Sequence, residues 1–264
     1  MDSRLPFVAG VVAGAALFAR ERRSRRAVER FAAAGLETLL NAIEANDAET
    51  GRHVRRVATY ALIIADAAGL SEHRCHAIER VALFHDIGKI HEALFDIVHD
   101  DDSLTPADRQ AIRTHPQRGA QVLAPLDAFY PELAAGVLSH HERWDGTGYP
   151  RKLRGKKIPL EARIVTIADT FDAVAHSRRY RQGRGVDDAM RVISDGRGTQ
   201  FDPELVDLVL LPPIISRLAK EHLASGRPRA GRRSSTRETV PDVRFRWRSE
   251  SLGSRHLGAA GHVD

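Results

Sequence analysis

Five histidines and three carboxylates fall in the middle of the sequence in groups suited to metal ligation: Glu49 with His53, His85 with Asp86, His115 before Pro116, His140 with His141, and Asp169. Glu49 and His53 are four apart, so on one helix they share a face and can approach a common ion. Adjacent residues stand about 100° apart on a helix, so His140 and His141 serve different ions, and His85 and Asp86 diverge unless the helix ends there. A carboxylate has two oxygens, which lets Asp86 bridge two metals while His85 binds one. The whole set is too large for a single ion. Mixed imidazole and carboxylate ligation without thiolates favours iron or manganese over a structural zinc.

Two of these groups sit in longer strings, His85-Asp86-Ile-Gly-Lys89 and His140-His-Glu-Arg-Trp-Asp-Gly-Thr-Gly-Tyr-Pro150. With Asp47-Ala-Glu-Thr-Gly-Arg-His53, His115-Pro116 and Ile167-Ala-Asp169 in the same order, the chain resembles an HD-GYP domain from about residue 36 to about residue 211. That family is a branch of the HD metal-dependent phosphohydrolases, and its best-known members open bacterial cyclic di-GMP. The resemblance implies the same eight ligands and a cyclic dinucleotide as substrate. It also implies a third metal where Glu49 is present, so two or three divalent ions are expected. A phosphodiester is anionic and a poor electrophile; paired metals neutralise its charge and acidify the attacking water.

Beside such a site Asp86 and Lys89 form the candidate catalytic pair, with the Lys89 ammonium aimed at a phosphate or leaving oxygen. Arg178 and Arg181 match the family's phosphate-contacting R-x-x-K positions, with arginine in place of lysine, a change that keeps phosphate binding. Trp144 and Tyr149 either stack on a guanine or pin the Gly146-to-Pro150 loop, a loop the family also uses to meet partner proteins. Asp47 and Thr50 read as caps or supporting groups. The chain departs from the family after Lys89, where residues 90–103 form an acidic loop with His91, His99 and Asp100 to Asp102. That departure motivates cyclic GMP-AMP as an alternative substrate. A non-catalytic module that binds nucleotide or partner proteins is the alternative of another class, and the complete ligand set speaks against it.

The elements that must position these groups read as helices. No stretch alternates convincingly at period two, so an all-α fold is expected, an HD-type helical bundle with a metal cluster in its core and chemistry carried on loops. From Ala27, apolar residues recur at helical spacing through Ile43. Val54 to Ile64 continue in the same way to Gly69, Ser71 is placed to cap a helix ending near Gly88, and helices are expected over 131–141 and 160–176. Thr105-Pro106 and Asp202-Pro203 read as cap followed by first helical residue, and a last helix runs to about Leu223.

The single cysteine, Cys75, excludes an internal disulfide and any thiolate cluster, which points to a reducing compartment. The charge is uneven: residues 226–264 carry nine arginines against four acids, an excess equal to the formal +5 of the whole chain. The organisation expected is a leader at 1–26, a catalytic domain at 27–223 and a disordered basic tail at 224–264, with no specific nucleic-acid site. Residues 5–19 are uncharged and precede arginines at 20, 22, 23, 25 and 26. As a helix they span about 22 Å, short of the ~30 Å hydrocarbon core, so they are either a marginal anchor on the cytoplasmic face of a membrane or an apolar leader. A cytoplasmic location is expected in both cases.

Overall fold

The computed structural model describes residues 4–90, 105–176 and 184–225. The acidic loop, Arg178, Arg181 and the basic tail lie outside the described residues. Met1–Arg229 form one unit of the chain and Ala230–Asp264 a second. Ten α-helices are described, and no strand; an isolated bridge between Arg197 and Phe201 is the nearest thing to one.

Helix α1 runs unbroken over Arg4–Asn46, so the expected start at Ala27 lies inside it. The arginines between 20 and 26 are good helix formers, and nothing in that stretch stops propagation. Among the described residues no helix is long and apolar enough to cross a membrane. The C-terminal part of α1 buries Leu36, Leu40 and Ile43 and packs on α2, Ala48–Ala67. The kink between them is a cap: Asp47 has extended backbone angles and its carboxylate accepts from the amides of Glu49 and Thr50 and from the Thr50 hydroxyl, as its sequence position predicts.

Helices α2, α3 (Glu72–Phe84) and α7 (Leu160–Ala175) form the centre. Their facing residues are small or branched, with Val57, Ala61, Ile78, Val81, Ala162 and Val165 at 0% exposure. Short side chains let the three helices approach closely enough for groups from all of them to meet. Ser71 is the N-cap residue of α3 but its hydroxyl makes no capping bond.

The remaining helices are short. α4 is Pro106–Ile112, opened by a reciprocal capping box between Thr105 and Asp108; α5 is His115–Leu123 and α6 is Pro131–Ser139. α8 is Val186–Asp195, α9 is Pro203–Val209 with Asp202 as its side-chain cap, and α10 is Pro212–Ser225. α3 ends at Phe84, before the expected stop near Gly88, and a 3₁₀ turn over Ile87–Ile90 follows.

Candidate metal centre

Three of the histidines are aimed by one local rule. His85 and His140 are the C-cap residues of α3 and α6, and His115 follows the end of α4. The last turn of a helix leaves carbonyls without intrahelical partners. Each imidazole turns back to one of them three residues earlier: His85 Nδ1 to the Ala82 carbonyl at 2.7 Å, His115 Nδ1 to Ile112 at 2.7 Å and His140 Nδ1 to Val137 at 2.6 Å. A carbonyl only accepts, so Nδ1 carries the proton and Nε2 presents its lone pair inward.

The inward nitrogens form two groups. His53, His85 and Asp169 make one, and His115, His140 and His141 the other. The two adjacent histidines thus share a group, contrary to the expectation that they serve different ions, because α6 ends at Ser139 and the 100° helical spacing does not hold beyond it. Asp86 lies between the two groups. Its Oδ2 is 3.5 Å from His85 Nε2 and 3.9 Å from His53 Nε2, while Oδ1 is 3.3 Å from His115 Nε2 and 3.9 Å from His140 Nε2. Asp169 Oδ1 is 3.3 Å from His53 Nε2. Glu49 stands apart: its carboxylate pairs with Arg52 at 2.6 Å and Arg56 at 3.5 Å, and it belongs to neither group.

The electrostatics fit cations. Burial pushes His85 down, His140 well below its ordinary range and His141 to about 3, with neighbouring imidazoles adding to the effect for His140 and His141, so these rings are neutral and able to ligate a cation. His85 Nε2 is shut off from solvent with no hydrogen-bond partner, and His115 Nε2 and His140 Nε2 face each other at 3.1 Å. Two lone pairs at that distance repel unless a positive charge lies near them. Asp86 stays ionised although burial opposes it, because the Lys89 ammonium beside it holds its carboxyl well below the usual range; Asp169 is held low by the hydrogen bond from charged His53 against the same burial. Burial would lower His53, but hydrogen bonds to Asp169 and Asp172 outweigh it and raise the ring to about 9. The acids thus retain a proton on His53 in the absence of another cation.

Several residues that matter here were not singled out from the sequence. Asp172 is fully buried behind the cluster: His53 Nδ1 donates to its Oδ2 at 2.7 Å, Arg56 Nε to its Oδ1 at 2.7 Å, and His176 Nδ1 lies 3.1 Å from Oδ1. It fixes the His53 ring so that Nε2 faces Asp169. The signal was present, since Asp169 and Asp172 are three apart on an apolar helix and share a face. Thr166, one turn before Asp169, donates to the His140 carbonyl at 2.6 Å and ties α7 to the histidine pair.

Lys89 Nζ is 2.7 Å from Asp86 Oδ2. Tyr149 stacks on His141, ring centroids 4.9 Å apart at 20°, and its amide donates to the His141 carbonyl at 3.2 Å. Trp144 goes elsewhere. It lines a small pocket with Ile158, Arg163 and Phe201, its amide donates to the Gln200 carbonyl and its carbonyl accepts from Gly155. The loop between these aromatics is held by buried Glu142, whose two oxygens accept from the amides of Arg151 at 2.7 Å and Leu153 at 2.9 Å.

The profile of the HD domain family matches residues 37–205. The cyclic di-GMP phosphodiesterase response regulator RpfG of Xanthomonas campestris is 38% identical over 66% of this chain and 46% of its own length. The 3'3'-cGAMP-specific phosphodiesterase 2 of Vibrio cholerae is 36% identical over 65% of this chain and 33% of its own. The chain therefore spans less than half the length of these relatives. Among solved structures, the cyclic GMP-AMP specific phosphodiesterase V-cGAP3 of Vibrio cholerae superposes with a TM-score of 0.51 at 23% identity, covering 72% of this chain and 52% of that one, a likeness of fold. With the family model over residues 37–205, the two His and Asp groups with Asp86 between them and the Gly-Tyr-Pro loop against His141, the chain belongs to the HD domain family, in its HD-GYP branch.

Proposed function

We propose that the chain is a metal-dependent phosphodiesterase that hydrolyses cyclic di-GMP to the linear dinucleotide, to GMP or to both. The observation that carries this reading is the Asp86 carboxylate set between two groups of inward-facing imidazoles, one oxygen toward each. Divalent ions held there, iron or manganese by the ligand chemistry, would neutralise the phosphate and supply an acidified water. Two ions match the two groups; a third through Glu49 requires that carboxylate to leave Arg52 and Arg56.

The protein's own groups do the rest. Asp169 and Asp86 repel an anionic substrate until cations offset them, so substrate binding follows metal loading. Lys89, 28% exposed on its side chain, reaches the edge of the cluster. The Lys89 ammonium, paired here with Asp86, would turn to a phosphate oxygen if bound ions took up that carboxylate. Arg178 and Arg181 supply further phosphate contacts in this reading. Tyr149 and Trp144 act as pins of the loop, because the ring of one lies on His141 and the other packs away from the cluster. The domain works where its nucleotide is made, in the cytoplasm.

The test is turnover of cyclic di-GMP by the full chain with manganese or ferrous iron, products resolved by chromatography, and Asp86→Ala as control. Linear dinucleotide or GMP that disappears in the control supports the reading; no product from a metal-loaded chain contradicts it. Cyclic GMP-AMP is the second substrate to run in competition, since one relative carries that specificity in its name and residues 90–103 depart from the family pattern.

A further inference from the structure

One cation beside the centre is not absorbed by the account above. Arg113 is the C-cap residue of α4, two positions before His115, and its neighbour Ile112 supplies the carbonyl that orients the His115 ring. Its guanidinium carbon lies 5.3 Å from the centroid of the Tyr149 ring, which itself stacks on His141. The residue is exposed, and among the described residues its side chain makes no ion pair. Lys89 pairs with Asp86 and is already assigned to the scissile side of the site, Arg56 pairs with Asp172, and Arg151 donates to the Ser139 hydroxyl. Arg113 is therefore a planar, permanently charged donor, steadied on an aromatic ring and open to solvent, at the rim of the imidazole cluster.

A cyclic dinucleotide brings two phosphodiesters, and the metal centre needs only the one it cleaves. We propose that Arg113 receives the second, non-scissile phosphodiester, so that it selects a dinucleotide carrying two phosphates over a phosphodiester carrying one. Guanidinium and phosphate match as a two-point, charge-assisted contact. Tyr149 has a second task in this arrangement, giving the Arg113 guanidinium an aromatic ring to rest on. Lys at this position would keep the charge and lose the fork. The inference rests on the phosphodiesterase reading and adds to it a residue for substrate selection.

The experiment compares the full chain with Arg113→Ala and Arg113→Lys, manganese-loaded, on cyclic di-GMP and on bis(p-nitrophenyl) phosphate, a probe with one phosphodiester. For Arg113→Ala the expected result is a KM for cyclic di-GMP raised about tenfold to a hundredfold, kcat little changed, and turnover of the single-phosphate probe within about twofold of the parent. Arg113→Lys should recover part of the loss. Equal losses on both substrates would show that Arg113 acts only by supporting Tyr149 and His141, and would overturn the assignment, as would an unchanged KM. A parent that cleaves the probe but not cyclic di-GMP would instead remove the cyclic dinucleotide reading, and this inference with it.

Discussion

His53 is held from behind as firmly as from the front, and that sets what single substitutions do. Asp172 accepts from His53, Arg56 and His176 with no exposure of its own, and these partners hold its carboxyl well below the usual range although burial pushes it up. Its stabilising effect is present above the unfolded carboxyl value near 4 and is lost as pH falls through the lower folded value. Asp172→Asn should cost the metal-free chain about 3–5 kcal/mol at pH 7, with the gap to the parent narrowing toward pH 3, as thermal unfolding would show. Metal affinity should fall about 10–100-fold at the group containing His53, with the other group spared. The two groups also differ in pH response. His53 keeps its proton up to about 9, whereas burial keeps His140 and His141 neutral. A cation bound at His53 must displace that proton, so manganese affinity there should rise up to tenfold per pH unit between about 6.5 and 9, in titrations that also count protons released.

At the scale of elements, the centre depends on how closely the 3₁₀ turn after α3 approaches the start of α5. Gly88 makes that approach possible: a Cβ there would lie 2.1 Å from the His115 carbonyl oxygen and 2.7 Å from the Gly119 amide nitrogen, both of them backbone. Gly88→Ala must push His85 and Asp86 away from His115, and the expected outcome is a chain of lower melting temperature that retains fewer than two metals, by calorimetry and elemental analysis. Gly148 plays the same part in the loop, where a Cβ would meet the Arg143 amide nitrogen at 2.3 Å. What sequence reading reached at this scale were the caps and starts. Asp47, Thr105-Pro106 and Asp202-Pro203 stand where their local chemistry puts them, because a cap is decided within three or four residues. What it missed depends on partners far along the chain. His53 meets Asp172 across 119 positions and Arg56 meets it across 116, and no local spacing reports that α2 and α7 lie side by side. The early start of α1 was missed for another reason: an arginine-rich stretch reads as a boundary by composition but is a good helix by propensity. The destination of Trp144 depends on the turn at Gln200 to Asp202 packing against the loop, again a long-range fact.

Across the whole molecule, the small-residue core of α2, α3 and α7 and the three backbone-oriented histidines converge on one buried assembly of imidazoles and carboxylates. The candidate ligands come from α2, the end of α3, the start of α5, the end of α6 and the middle of α7, so loading with metal should couple to stability of the entire unit. The most direct measurement is the number of manganese or ferrous ions bound per full-length chain, by elemental analysis after removal of free metal, for the parent, His53→Ala and His141→Ala. At least two ions are expected in the parent and one fewer in each variant, since each variant loses a candidate ligand from a different group. No bound ion in the parent, or the same number in all three proteins, would contradict this expectation.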